Sequence, residues 1–70
     1  MANIESPMAG KVWKILVKVG DAIAEDDEVI ILEALKMENP VFAPEDGVVK
    51  EILVKEGQQV EEGDILVSLE

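Results

Sequence analysis

The sequence predicts a small all-β domain, a sandwich or barrel in which two short sheets pack face to face. Short runs rich in Val and Ile alternate with Gly, Pro and Asp turn signals about every 8–12 residues, which is the spacing of such folds. The chain also matches itself, without a gap, after a shift of 37 residues. That self-match indicates a duplicated supersecondary unit, and two copies are too few for a solenoid.

The duplication divides a single domain, residues 1–70, into two copies at 7–33 and 44–70. The segment between the copies contains Lys36, and no second lysine occupies an equivalent place. The coinciding positions include Pro7 with Pro44, Gly10 with Gly47, and the Ile-Leu-Val-Lys run at 15–18 with the same run at 52–55. We therefore expect a closed, pseudo-symmetric domain in which Lys36 has a unique position.

The expected strands follow from β-branched runs bounded by turn residues. The run 11–19 also has apolar residues at helical spacing, but it is short, β-branched and bounded by Gly, so a strand is favoured. The irregular step from Val12 to Ile15 then predicts a β-bulge, which the second copy repeats. Pro40 predicts an edge strand or a bulge. The predicted strands are 3–5, 11–19, 22–24, 28–34, 37–42, 48–55, 59–60 and 65–69.

The predicted core contains the inward-facing apolar residues of both copies. Trp13 and Leu16 are out of phase with this set. We expect them to cover the underside of the terminal strands. The core set is Val12, Ile15, Val17, Ile23, Ile30 and Leu32, mirrored by Val49, Ile52, Val54, Val60, Val67 and Leu69.

Composition excludes several classes of function. The chain has no Cys and no His, so it lacks disulfides, thiolate metal sites and the usual general base and nucleophile pairs. A net charge of -10 argues against binding nucleic acid or an anionic membrane. The acidic run 25–28 is interpreted as a solvated turn, since its pattern does not fit a calcium loop. No transmembrane run or signal-peptide pattern is present, and a cytoplasmic location is expected.

Lys36 is the candidate functional residue. It lies between two large unbranched apolar side chains, Leu35 and Met37, with Glu33 and Glu38 on the flanks. A lysine offers a primary amine on a flexible four-carbon stem, and a tight turn between strands would make that amine accessible to another enzyme. Apolar residues beside a turn are expected to be exposed, which favours a recognition role. We interpret Lys36 as the attachment point of a covalently bound prosthetic group.

The segment Glu33–Met37 resembles the Glu-Ala-Met-Lys-Met signature of biotinyl domains, the biotin carboxyl carrier modules of biotin-dependent carboxylases. The segment Ser6–Gly10 is similar to the family's opening Pro-Met-x-Gly, and the resemblance covers nearly the whole chain. It implies a flattened β-barrel of two four-stranded antiparallel sheets with quasi-twofold symmetry. It also implies that Lys36, at an exposed hairpin, is the biotin acceptor. The residues expected to be recognised by the biotin ligase are Glu33, Ala34, Leu35, Met37 and Glu38.

The resemblance implies a non-catalytic carrier, and the alternative role of Trp13 and Leu16 is then a docking patch for the carboxylase partner. A biotin carboxylase would load the biotin on Lys36 using ATP and bicarbonate. The domain would then carry carboxybiotin to a carboxyltransferase acting on an acyl-CoA or a keto acid, as in acetyl-CoA carboxylase. Leu35 replaces the commoner Met, and biotinylation is expected to survive this change. The two copies align without a gap, which implies a carrier without the short "thumb" insertion, whose biotin swings free.

Two alternatives to a biotin carrier remain open. A lipoyl carrier of a 2-oxoacid dehydrogenase or glycine-cleavage system shares the fold, although lipoyl domains typically have Asp-Lys-Ala at the modified lysine. An unmodified barrel could also act as a structural adaptor.

Overall fold

The computed structural model describes residues 2–70, and it is all-β as predicted. Across these residues there is no helix of the length and hydropathy needed to cross a membrane. The strands are β1 (Ala2–Glu5), β2 (Gly10–Ile15), β3 (Ala22–Ile23), β4 (Glu28–Ala34), β5 (Met37–Phe42), β6 (Gly47–Ile52), β7 (Gln59–Val60) and β8 (Ile65–Leu69).

The strands form two four-stranded antiparallel sheets. One has the order β1-β8-β6-β3 and the other the order β5-β4-β2-β7. Every consecutive pair of strands except β4 and β5 is therefore divided between the two sheets. The only hairpin between sequence neighbours in the described chain is the one that carries Lys36.

The pairing register of β2 with β4 in one sheet is the same as that of β6 with β8 in the other. Adding 37 to the residue numbers of each β2–β4 pair from Val12 onward gives the corresponding β6–β8 pair. Val12 lies opposite Leu32 in one sheet, and Val49 lies opposite Leu69 in the other. The register shifts between Val12 and Lys14 in β2, and it shifts at the equivalent place in β6. These shifts confirm the predicted β-bulges and show the quasi-twofold symmetry residue by residue.

Two predicted strands are too long by three or more residues, and the predicted strand 22–24 is too long by one. The chain leaves β2 after Ile15, where the prediction continued to Val19, and it leaves β6 after Ile52, where the prediction continued to Lys55. Segment 16–21 crosses from the sheet of β2 to the sheet of β3, and segment 53–58 crosses in the opposite direction. Backbone hydrogen bonds of 2.9 Å, from Leu16 N to Val29 O and from Leu53 N to Leu66 O, tie the crossings to neighbouring strands.

The core is one cluster between the two sheets, and most of its predicted members are buried. Three predicted members, Ile15, Val17 and Ile52, are only half-buried, because they lie where the chain begins to cross between sheets. The prediction omitted residues on edge strands and residues next to a core position. These additional buried residues are Ile4, Val29, Val41, Ala43 and Leu66.

Of the two positions predicted for Pro40, an edge strand or a bulge, the edge strand is confirmed. β5 is an edge strand that, among the described strands, pairs only with β4. The missing N–H of Pro40 therefore deprives no second neighbouring strand of a hydrogen bond. β1 is the edge of the other sheet.

Candidate functional site

Leu35 and Lys36 form the two-residue turn that joins β4 to β5. Ala34 lies opposite Met37 at the base of this turn. Leu35 has φ 54° and Lys36 has φ 61°, so both have left-handed backbone conformations. Two successive positive φ values are the signature of a type I′ turn, which matches the twist of the hairpin but usually contains Asn-Gly. A side chain larger than Gly in this conformation costs roughly 1–2 kcal/mol per residue.

The side chains at the tip point into solvent. Leu35 is 94% exposed and Met37 is 64% exposed, so neither contributes to the core. Lys36 is exposed between them. The hairpin therefore presents a single primary amine flanked by two apolar side chains, an arrangement that a separate enzyme can reach and surround.

Two carboxylates face each other just behind the tip. Glu33 lies directly opposite Glu38, and both are exposed. Like charges in this cross-strand position are destabilising. On its other side Glu33 lies opposite Lys11 of β2, which places one positive charge in the same row. The five predicted recognition residues are thus together on one hairpin, four of them exposed and Ala34 half-buried.

Two residues that the sequence analysis missed support the hairpin. Gly10 is buried against its base, where an added Cβ would lie 3.0 Å from the carbonyl oxygen of Glu33 and 3.5 Å from the Cβ of Ala34. The Asn39 side-chain amide donates a hydrogen bond of 3.1 Å to the carbonyl oxygen of Met37. Gly10 could have been found from the sequence, because it coincides with Gly47 in the repeat. Nothing in the sequence indicated the role of Asn39.

A cleft of about 220 Å³ adjoins the hairpin, and Lys11, Val12, Trp13, Glu33 and Gly57 line it. Trp13 is 42% exposed, and the Lys14 Nζ lies 5.1 Å from the centre of its ring. The expected role of Trp13 beneath the terminal strands is wrong, because β2 belongs to the sheet that lacks β1 and β8.

Leu16, the other residue expected to cover the terminal strands, keeps that role as a prediction. It is 44% exposed where the chain leaves β2.

Within residues 2–70 no three His, Cys, Asp or Glu side chains are grouped to hold a metal ion. The acidic turn at 25–28 is exposed, and one of its backbone amides, Glu25 N, donates a hydrogen bond of 2.8 Å to the Asp46 carboxylate. The arrangement at the hairpin can display and orient an amine for reaction in another active site.

The family model described as "Biotin-requiring enzyme" matches residues 2–69. The chain belongs to this family. It is 53% identical over 67 residues to the "Biotin/lipoyl attachment protein" of Bacillus subtilis, a match that spans 96% of this chain and 92% of that protein. The predicted resemblance to biotinyl domains is thereby confirmed.

Other members of the biotin family are much longer proteins. The chain is 46% identical over 67 residues to the mitochondrial propionyl-CoA carboxylase alpha chain of Homo sapiens, of which the match spans 9%. The crystal structure of Kluyveromyces lactis urea carboxylase superposes with a TM-score of 0.91 at 40% identity, covering 97% of this chain and 6% of that one. These similarities confirm the predicted fold. In the longer relatives the matching part is one domain of a carboxylase.

Proposed function

We propose that Lys36 is the biotin attachment site and that the domain is a biotin carboxyl carrier. The observation that carries the proposal is the two-residue turn, in which Lys36 is the only amine at the tip of the only hairpin between sequence neighbours in residues 2–70. Membership of the biotin family and the names of its relatives support it. An exposed lysine that no packing confines fits a covalently attached arm, since the group needs no cavity of its own.

The residues of the hairpin each have a role in this proposal. The Lys36 amine, once neutral, attacks the activated carboxyl carbon of biotin in the ligase. An amide bond forms, and the activating group leaves. Leu35 and Met37 provide apolar contacts that position the amine, while Glu33 and Glu38 orient the ligase through their charge.

The carrier role follows from the tether. Attached biotin supplies a ureido nitrogen that accepts and releases a carboxyl group. The hairpin supplies reach and a fixed origin for the arm, which raises the local concentration of the group at each partner site. The domain needs no catalytic residue of its own.

The proposed partners are a biotin ligase, a biotin carboxylase and a carboxyltransferase in the cytoplasm. The acceptor class that we propose is an acyl-CoA, such as acetyl-CoA, since the human relative is a propionyl-CoA carboxylase chain.

A lipoyl carrier is the second candidate, because the name of the Bacillus subtilis relative includes both groups. The large apolar neighbours of Lys36 favour biotin. A lipoate ligase suited to an adjacent carboxylate would have to desolvate a polar contact against Leu35, at a cost of about 1–3 kcal/mol.

Co-expression with a biotin ligase tests the attachment site. The wild-type chain should gain the mass of one biotinyl group. The variant Lys36→Arg should fold normally and gain none, whereas the control Lys50→Arg should be labelled like wild-type, because Lys50 lies on β6 in the other sheet. An avidin blot that detects label on Lys36→Arg would refute the assignment.

A further inference from the structure

The cleft beside Trp13 is continuous with the hairpin. Glu33 is part of both, since it lines the cleft and lies three positions before Lys36 in the chain. At about 3.4 Å per strand residue, the cleft begins roughly 10 Å from the backbone of Lys36. A protein that encloses the hairpin from the β2 side therefore meets Lys11, Trp13 and Glu33.

The internal symmetry shows that the fold does not require Trp13. β2 and β6 have the same pairing and the same bulge, yet the position of Trp13 is Lys50 in the second copy. Trp13 is also absent from the core cluster. A position that is Trp in one copy and Lys in the other is not fixed by the strand pairing, and the indole leaves 42% of its surface exposed to a partner.

The surface beside the hairpin also differs from its counterpart in charge. Lys11 and Lys14 flank Trp13, while the equivalent residues in β6 are Val48 and Glu51. The chain as a whole has a net charge of -10. The cleft thus has an indole, Lys11 and Glu33 in its lining, with the Lys14 Nζ 5.1 Å from the ring centre of Trp13, and it lies next to the hairpin that carries Lys36.

We propose that this cleft is the docking surface of the biotin ligase; the inference rests on the proposed modification of Lys36. The unmodified lysine stem is only about 6 Å long. The ligase active site must therefore approach the hairpin backbone closely, and its body covers the adjoining surface. The later partners act through the much longer biotinylated arm and can stay farther away.

The docking partner has a definite chemistry. Its surface has an apolar pocket for the indole, carboxylates near Lys11 and Lys14, and a basic group that faces Glu33, which lines the same cleft. Aromatic anchors at the centre of an interface commonly contribute most of its affinity, and the paired charges would speed association and make it dependent on salt concentration.

The test is the steady-state kinetics of biotinylation of the whole chain by purified ligase. Trp13→Lys should raise KM about tenfold or more and leave kcat within about twofold. This variant places in β2 the residue that the equivalent strand already has, so it should fold. The control Lys50→Trp should behave like wild-type, and the double variant should match Trp13→Lys, because position rather than tryptophan content matters.

A KM unchanged by Trp13→Lys would overturn the docking proposal. If the fluorescence of Trp13 also shifts on biotinylation of the wild-type chain, the attached group itself lies in the cleft. A wild-type chain that takes up no biotin would instead refute the proposed function, so the two failures are distinguishable.

Discussion

Leu35 combines two properties that the fold itself does not favour. Its backbone is left-handed at φ 54°, and its apolar side chain is 94% exposed. Asn or Gly would suit the turn better. The recognition role predicted for Leu35 would account for a residue that costs stability and fills no space in the core, and that role stays a prediction.

Replacing Leu35 should therefore not weaken the fold. Leu35→Asn should leave the free energy of unfolding unchanged or raise it by up to about 1 kcal/mol, because Asn tolerates the left-handed conformation. Ile30→Ala, at a residue with no exposed surface, should lower it by about 2–4 kcal/mol. Urea melts of both variants measure the difference. Equal losses would show that the tip is not the solvent-exposed turn described here.

The neighbours of Lys36 should also set the choice between biotin and lipoate. The wild-type chain should be biotinylated efficiently and lipoylated weakly or not at all. The double variant Leu35→Asp, Met37→Ala, which reproduces the Asp-Lys-Ala of lipoyl domains, should shift the preference toward lipoate. Incubation with each purified ligase followed by mass measurement checks this. A wild-type chain that accepts lipoate as readily as biotin would show that the flanking residues do not decide.

At the scale of the elements, the β4–β5 hairpin was predicted to the residue and β2 was not. The bounds 28–34 and 37–42 were correct because β-branched runs end there at a short turn. Leu16 and Val17 continue the apolar pattern of β2, but the chain has already left the sheet. Local pattern indicates an extended backbone, whereas the end of a strand depends on which partner it pairs with, and that partner is far away in sequence.

Gly10 and Gly47 provide a matched test of how β2 supports the hairpin. An added Cβ at Gly10 would lie 3.0 Å from a backbone oxygen of Glu33, whereas at Gly47 the nearest contacts are 3.4 Å away on the side chain of Leu69. Gly10→Ala should therefore lower the free energy of unfolding by about 1–3 kcal/mol, and Gly47→Ala should cost less. Thermal or urea melts compare the two. A larger loss for Gly47→Ala would contradict the described packing at the hairpin base.

For the whole molecule, duplication explains both the fold and the position of the site. The self-match in sequence predicted the quasi-twofold symmetry, and the equal registers of the two sheets confirm it. The division at 7–33 and 44–70 stays a prediction. The hairpin was predictable because it interrupts the repeat. The cleft was not, because its lining residues Trp13 and Gly57 are brought to one place by the pairing of β2 with β7, which no local pattern specifies.

The mass of the protein isolated from its host tests the central claim most directly. We predict a mass increase corresponding to one biotinyl group, and peptide mapping should place all of it on Lys36. A lipoyl mass on Lys36, or an unmodified chain from cells whose biotin ligase is active, would contradict the assignment of this domain as a biotin carrier.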